Sequence, residues 1–327
     1  MKKKILVFKI GALGDILMST PFLRELRKAN KDAQIDFLVG NNCRVILENN
    51  IQIDNIISFD QNIFLKKNMY QYYNLIKKIK KITYDEIYIL DKHWIFNMFA
   101  FLTRIPKRIG FIRDKLSKVF LTTYINYTND KHEVDFYLEL IKSKTKNKKI
   151  EFGEISQSDK TYVDSILKVL CMKKFKIFVN LGGNELEKSS IRKIPDFIFK
   201  NILRNLSKKN VICLIGGPDD FLYYNSFVLN SNIINLSGKF SIAQTIYFME
   251  KSSYIYSTDC GPMHFGACTN TAMTCFFGPS NPLRKAPLRS GIISLWSDSN
   301  IYDPEYELNG KIPTNKLFFR NLDIDKI

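Results

Sequence analysis

No stretch of the 327 residues approaches the run of about 18 apolar residues that a membrane-spanning helix needs; the best segment, Trp94 to Leu102, is short and contains Asn97. A spanning protein is therefore excluded. Zinc-ligand pairs are missing as well: Cys43, Cys171, Cys213, Cys260, Cys268 and Cys275 form no C-x-x-C pair, and only Cys260 has a histidine, His264, close by. Scattered thiols fit a reducing compartment. Met1-Lys2-Lys3-Lys4 imitates the start of a signal peptide, but Lys9 and Asp15 interrupt the apolar stretch and no small-residue cleavage site closes it, so a cytoplasmic location is expected. No Lys-Ser/Thr follows Gly14, which rules out a Walker A loop, and the first glycine turn offers only G-x-x-G, with no acidic group after the second strand to meet a ribose. NAD is disfavoured. An acidic D-x-D loop that would hold a divalent cation between phosphates is also lacking, Asp219-Asp220 being a poor imitation, so no metal is expected.

What is present is ordinary globular material, 45% apolar and 25% charged, in a length that suits two domains. The formal charge of +17 is unevenly spread: residues 1–150 hold 28 Lys/Arg against 15 Asp/Glu, and residues 151–327 hold 21 against 17. The first half should face something anionic, whether a phosphorylated substrate, a membrane surface or nucleic acid. Leu65, Met69, Tyr72, Ile76 and Ile79 share one helical face, with Lys66, Lys67, Lys77, Lys78, Lys80 and Lys81 around the other. The polar run Lys142 to Lys149 is an inter-domain linker or the loop just before one, which places the boundary near residue 155.

Strands alternate with helices throughout. Lys4–Ile10, Gln34–Val39, Asp85–Leu90 and Arg108–Phe111 are expected strands, and Pro21 implies a bend or a fresh helix start capped by Ser19 or Thr20. In the second half, Lys176–Leu181, Val211–Ile215, Tyr254–Ser257 and Ala272–Phe277 each run into a Gly-containing polar loop. That pattern predicts an α/β protein with parallel sheets covered on both faces, and such sheets bind ligands at the carboxyl ends of their strands.

Three loops carry chemistry. Asp15 follows a tight glycine turn at the end of the first strand, where an Asp is either a helix cap or a presented carboxylate. Asp259-Cys260-Gly261-Pro262-Met263-His264 places Pro262 at a first helical position, so that the N–H groups of the next turn could meet a diphosphate. Arg192 and Lys193 precede another helix and can neutralise phosphate by bidentate and point-charge contacts.

Taken in order, Gly11-Ala12-Leu13-Gly14-Asp15 with Thr20-Pro21, Arg192-Lys193-Ile194-Pro195, Gly216-Gly217, Ser237-Gly238-Lys239, the Asp259–His264 segment and Phe277-Gly278-Pro279-Ser280-Asn281-Pro282 resemble the ADP-heptose:lipopolysaccharide heptosyltransferases, glycosyltransferase family 9. The resemblance spans about residues 4–290. It implies a GT-B fold of two Rossmann-like domains, residues 1–155 binding the acceptor and 156–327 the nucleotide sugar, with parallel sheets facing a central cleft. It further implies an inverting, metal-independent transfer of heptose or a related sugar, from ADP-heptose, to a hydroxyl of a lipopolysaccharide, lipooligosaccharide or other surface-glycan acceptor at the cytoplasmic face of the inner membrane. By the same resemblance Asp15 is the general base, Gly11 and Gly14 serve the acceptor, and Asn184, Arg192, Lys193, Asp219, Lys239, Phe240, Asp259, Cys260, Gly261 and His264 serve the donor; the basic helix face adds Lys77 and Lys78 as expected acceptor contacts. Arg192 stands where the family usually has Lys, Ile194 where it has Trp, and Cys260 where it has Ser or Thr. Two rivals are a nucleotide-sugar epimerase of the same fold, which would need no acceptor, and a non-catalytic binder of nucleic acid or an anionic surface, against which no recognisable DNA or RNA module appears.

Overall fold

The structure is a computed structural model that describes residues 2–65, 68–181, 191–309, 311–313 and 317–322. Two compact units divide the chain, Met1–Glu154 and Ile155–Ile327. Each is built on a six-stranded, fully parallel sheet.

In the first unit the strands are β1 (Lys4–Lys9), β2 (Gln34–Gly40), β3 (Asn55–Phe59), β4 (Glu86–Ile89), β5 (Lys107–Ile112) and β6 (Thr123–Asn126), in spatial order β3-β2-β1-β4-β5-β6. Ile5, Leu6, Val7 and Phe8 are wholly buried because helices cover both faces of a parallel sheet, which is why β1 reads as a nearly continuous apolar run. The second unit repeats the arrangement with β7 (Phe175–Val179), β8 (Val211–Leu214), β9 (Ile233–Asn235), β10 (Tyr254–Thr258), β11 (Met273–Phe277) and β12 (Ile292–Trp296), ordered β12-β11-β10-β7-β8-β9. Both are the doubly wound Rossmann order. Strand progression reverses once in each, between β1 and β4 and between β7 and β10, and the crevice outside such a switch point is where open α/β sheets bind ligands.

Around Pro21 the chain makes two helices, Leu13–Met18 and Thr20–Ala29, with Pro21 in the first turn of the second. Ser19 is the joint, its hydroxyl donating to the Ile16 carbonyl at 2.7 Å. The basic amphipathic helix spans Met69–Lys80, starts at an Asn68 side-chain cap and buries Tyr72, Leu75, Ile76 and Ile79. Met69 departs from the expected face: at 72% exposure it lies in a first turn that nothing covers. Lys66, Lys67 and the Leu65 side chain lie outside what is described. The polar run 142–149 is tied to the first unit, since the Arg24 guanidinium donates to the carbonyls of Asn147 and Lys149 and the Thr20 hydroxyl accepts from the Glu151 N–H.

Candidate active site

At the first switch point β1 ends in a charge where the rest of the strand is apolar. Lys9 is 1% exposed, and its ammonium lies 3.1 Å from Asp91 Oδ1 and 3.7 Å from Asp15 Oδ2. Asp91 follows β4, the neighbour of β1, and its other oxygen accepts the Ile10 N–H at 2.7 Å. Burial opposes the charge on Lys9, but Asp91, Asp15 and Glu133 together outweigh it and hold the pKa well above the ordinary lysine value. Beside this pair, Lys92 is bonded to Glu133, which also accepts the Tyr127 hydroxyl. The ring of Tyr137 lies under both ammonium groups, 5.7 Å from Lys9 and 5.5 Å from Lys92.

Asp15 is the outermost member of this cluster, with 28% of its side chain exposed, against 10% for Asp91, 15% for Lys92 and 1% for Glu133. It sits in the first turn of Leu13–Met18, whose cap position is Ala12 and carries no side-chain cap bond. Asp15 is therefore not that helix's cap. The turn before it is close-packed: a side chain on Gly11 would meet Cys43 Sγ at 3.3 Å. Burial pushes the Cys43 thiol up to about 11, against the pull of Lys9. Gly14 is buried within the helix, so of the two glycines it offers its backbone the less.

At the second switch point the loop carrying Arg192 and Lys193 is clamped by Asn180, which ends β7. Asn180 accepts the Ile194 N–H at 2.8 Å and donates to the Ile194 carbonyl at 3.0 Å, while its own N–H donates to the buried Tyr224 hydroxyl. Ile194 is wholly buried, a core anchor for the loop. Arg192 lies 3.5 Å from Asp259 Oδ2 and donates from Nε to the Tyr306 hydroxyl at 2.6 Å, leaving about a third of its side chain exposed. Lys193 stands 4.1 Å over the ring of Tyr223. The ends of β7 and β10 are stitched together as well, Thr258 Oγ1 donating to the Leu181 carbonyl at 2.6 Å and accepting the Leu181 N–H.

The remaining expected residues fall out unequally. Lys239 and Asp219 are exposed, and Phe240 is half-buried, stacked at 4.8 Å on Phe248 and edge-on to Tyr162. Gly238 takes φ +72, which a side chain would strain, and donates its N–H to the Gly216 carbonyl at 2.9 Å. Asp220, the neighbour of Asp219, is already engaged by the Gly217 N–H. Cys260 caps the Gly261–Ala267 helix by position, yet its thiol is turned inward toward Ser257 and Thr258, and burial pushes it up to about 11. His264 is only 5% exposed. The helix has seven residues and Pro262 supplies no N–H, so it offers an anion less than the sequence suggests. Lys77 and Lys78 are exposed on the Met69–Lys80 helix, and Asn184 lies outside the described residues. Among the described residues no group of three or more His, Cys, Asp or Glu side chains is arranged to hold a metal ion.

Sequence reasoning missed Lys9, Asp91, Glu133, Asn180 and Tyr306. For Lys9 a signal existed, since a lysine inside a run that must be buried on both faces needs a carboxylate partner.

Residues 72–308 match the family described as Glycosyltransferase family 9 (heptosyltransferase). The chain is 23% identical over 304 residues to lipopolysaccharide heptosyltransferase 1 of Campylobacter coli, covering 86% of each. A glycosyl transferase family 9 structure from Veillonella parvula superposes with a TM-score of 0.84 at 21% identity, over 100% of this chain and 95% of that one. The ADP-heptose lps heptosyltransferase II of E. coli gives 0.73 at 21%, over 95% and 98%.

Proposed function

Because the chain belongs to glycosyltransferase family 9, we propose that it is an inverting transferase that moves heptose from ADP-heptose to a hydroxyl of a lipopolysaccharide or lipooligosaccharide precursor, with no metal ion. What carries this is the placement of Asp15 and Arg192, each at the switch point of its own sheet. Asp15 takes the proton of the acceptor hydroxyl as that oxygen attacks the anomeric carbon; the bond from that carbon to the diphosphate breaks on the opposite side, and ADP departs. Arg192 and Lys193 receive the charge that develops on the leaving group. Arg192 suits this because Asp259 and Tyr306 already fix its guanidinium, so little ordering remains for binding. Asp259 then acts by holding Arg192, since a second anion beside a phosphate would repel it. The test is to supply ADP-heptose with a heptose-deficient acceptor and follow ADP release, product mass and anomeric configuration. Turnover of the donor without acceptor, or a thermal shift with UDP or GDP and none with ADP, would overturn the assignment.

Chelation is expected to leave that activity intact. The cations Arg192 and Lys193 supply the charge that a bridging metal would otherwise bring, and Asp220 is held by Gly217 rather than presented to a ligand. Inhibition by EDTA that magnesium or manganese restores would reverse this expectation.

A lipid-linked acceptor asks for attachment to the inner membrane's cytoplasmic face, and the first unit has the surface for it. No helix among the described residues is long and apolar enough to cross a membrane. Residues 101–126 hold six Lys/Arg and the single acid Asp114, which caps the Lys115–Val119 helix. Leu116 and Val119 on that helix are 49% and 70% exposed, and Arg108 and Lys118 lie over the rings of Phe101 and Tyr124. Each cation near an anionic bilayer contributes about 1 kcal/mol, so a handful supports reversible attachment. Binding to vesicles containing phosphatidylglycerol should exceed binding to phosphatidylcholine and weaken as salt takes the Debye length below about 10 Å. Replacing Lys77, Lys78, Lys80 and Lys81 together by Gln, or Leu116 and Val119 together by Ser, should lower vesicle binding while sparing ADP affinity. Retained binding in both variants would reduce the basic excess to compositional bias.

A further inference from the structure

We propose that Lys9 and Asp91 are positioning residues for Asp15: Lys9 fixes the orientation of the Asp15 carboxylate, and Asp91 offsets enough of the Lys9 charge to leave Asp15 basic. The proposal rests on the reading of Asp15 as the general base. A cation 3.7 Å away by itself makes a carboxylate a poorer base, by roughly 1–3 pH units. The geometry corrects this, because Asp91 sits closer to the ammonium, at 3.1 Å, and is itself pinned by the Ile10 N–H.

The groups around the pair work in the same direction. Glu133 and Lys92 neutralise each other alongside, Tyr137 presents its ring to Lys9, and Cys43, with its thiol pushed up, stays uncharged. Of the two carboxylates in contact with Lys9, Asp15 has the longer contact and the greater exposure, which leaves it the one open to an incoming hydroxyl. Lys9 and Asp91 bond across the junction of β1 and β4, so the carboxylate is set by the sheet and not by a loop rotamer.

The test reads the carboxyl of Asp15 directly, by carbon-13 NMR titration of the aspartate-labelled protein, with the resonance assigned through Asp15→Asn. In Asp91→Asn the amide can still accept from Ile10, but Lys9 acts on Asp15 with its nearest counter-charge gone. The Asp15 pKa should fall by about one pH unit, the acidic limb of the kcat/KM profile should move down with it, and kcat should drop severalfold at unchanged donor KM. In Lys9→Gln/Asp91→Asn both charges are gone, and the Asp15 pKa should rise above the wild-type value because the cation in direct contact with it is removed. A purely structural pair would lower Tm in both variants and leave these titrations where they were, which would overturn the proposal. Should Asp91→Asn fail to fold, the double variant against wild type decides alone, and an unchanged Asp15 pKa refutes the role. If instead Asp15→Asn keeps full activity, it is the base reading that fails, whatever the titrations show.

Discussion

Asp15→Asn is expected to lower turnover by a factor on the order of 10² or more, the loss that follows removal of a positioned general base. Asparagine has the same shape and cannot take the proton. The fold should tolerate the change for three reasons. Helix Leu13–Met18 does not use Asp15 as its cap, 28% of the side chain is exposed, and Lys9 retains Asp91 at 3.1 Å as its nearer partner. Donor affinity should stay close to wild type, since the groups assigned to the diphosphate belong to the second unit. Activity and melting temperature measured on the same preparation separate the outcomes. Wild-type turnover would remove Asp15 from the chemistry, and a collapsed melting temperature would make it a structural carboxylate.

Arg192→Ala should weaken ADP binding by about 1.5–3 kcal/mol, or roughly 10- to 150-fold, the range for a charge-assisted hydrogen bond to phosphate. Some stability should go with it, because the Asp259 side chain, 8% exposed, loses the cation 3.5 Å away. Arg192→Lys keeps the charge but cannot reach Tyr306 and Asp259 with one planar group, so it should fall between the two. Lys193→Ala should cost less than Arg192→Ala: its ammonium rests over the ring of Tyr223, whereas Arg192 is held by both Asp259 and Tyr306. Titration calorimetry with ADP reads all three. Equal and negligible losses at Arg192 and Lys193 would place the diphosphate elsewhere.

The central strands were legible because their signal is local. β1, β2, β4, β7, β8, β10 and β11 are apolar runs that end in polar or glycine-containing turns, which a sheet buried on both faces requires. The edges were not. β6 reads Thr-Tyr-Ile-Asn, is largely exposed and carries no apolar run, while β12 reads Ile-Ile-Ser-Leu-Trp but is half-exposed at the edge of its sheet. β3, with Asn55 and Ser58 in five residues, was hidden for the same reason. Of the residues proposed for the site, Asp15 stood out after a glycine turn and Arg192 with Lys193 as two cations just before a helix. Cys260 was expected at the donor, and its thiol turns inward toward Ser257 and Thr258, a direction no local pattern marks. His264, expected near the ligand, is 5% exposed on its helix, a burial that the motif alone does not state.

The sequence by itself determined two Rossmann-like halves, the uneven charge and the family, because each is written in local composition or in motifs a few residues long. Only the tertiary structure decided which charges meet. Lys9 and Asp91 are 82 residues apart and come together because β1 and β4 are neighbours at the point where strand order reverses. Arg192 meets Tyr306 across 114 residues, on a segment that no local pattern connects to it. A buried charge must find an opposite charge or a hydrogen bond, but sequence states only the need. Which residue meets that need is set by strand order and by the packing of loops over the sheet's carboxyl edge, and those follow from the whole chain.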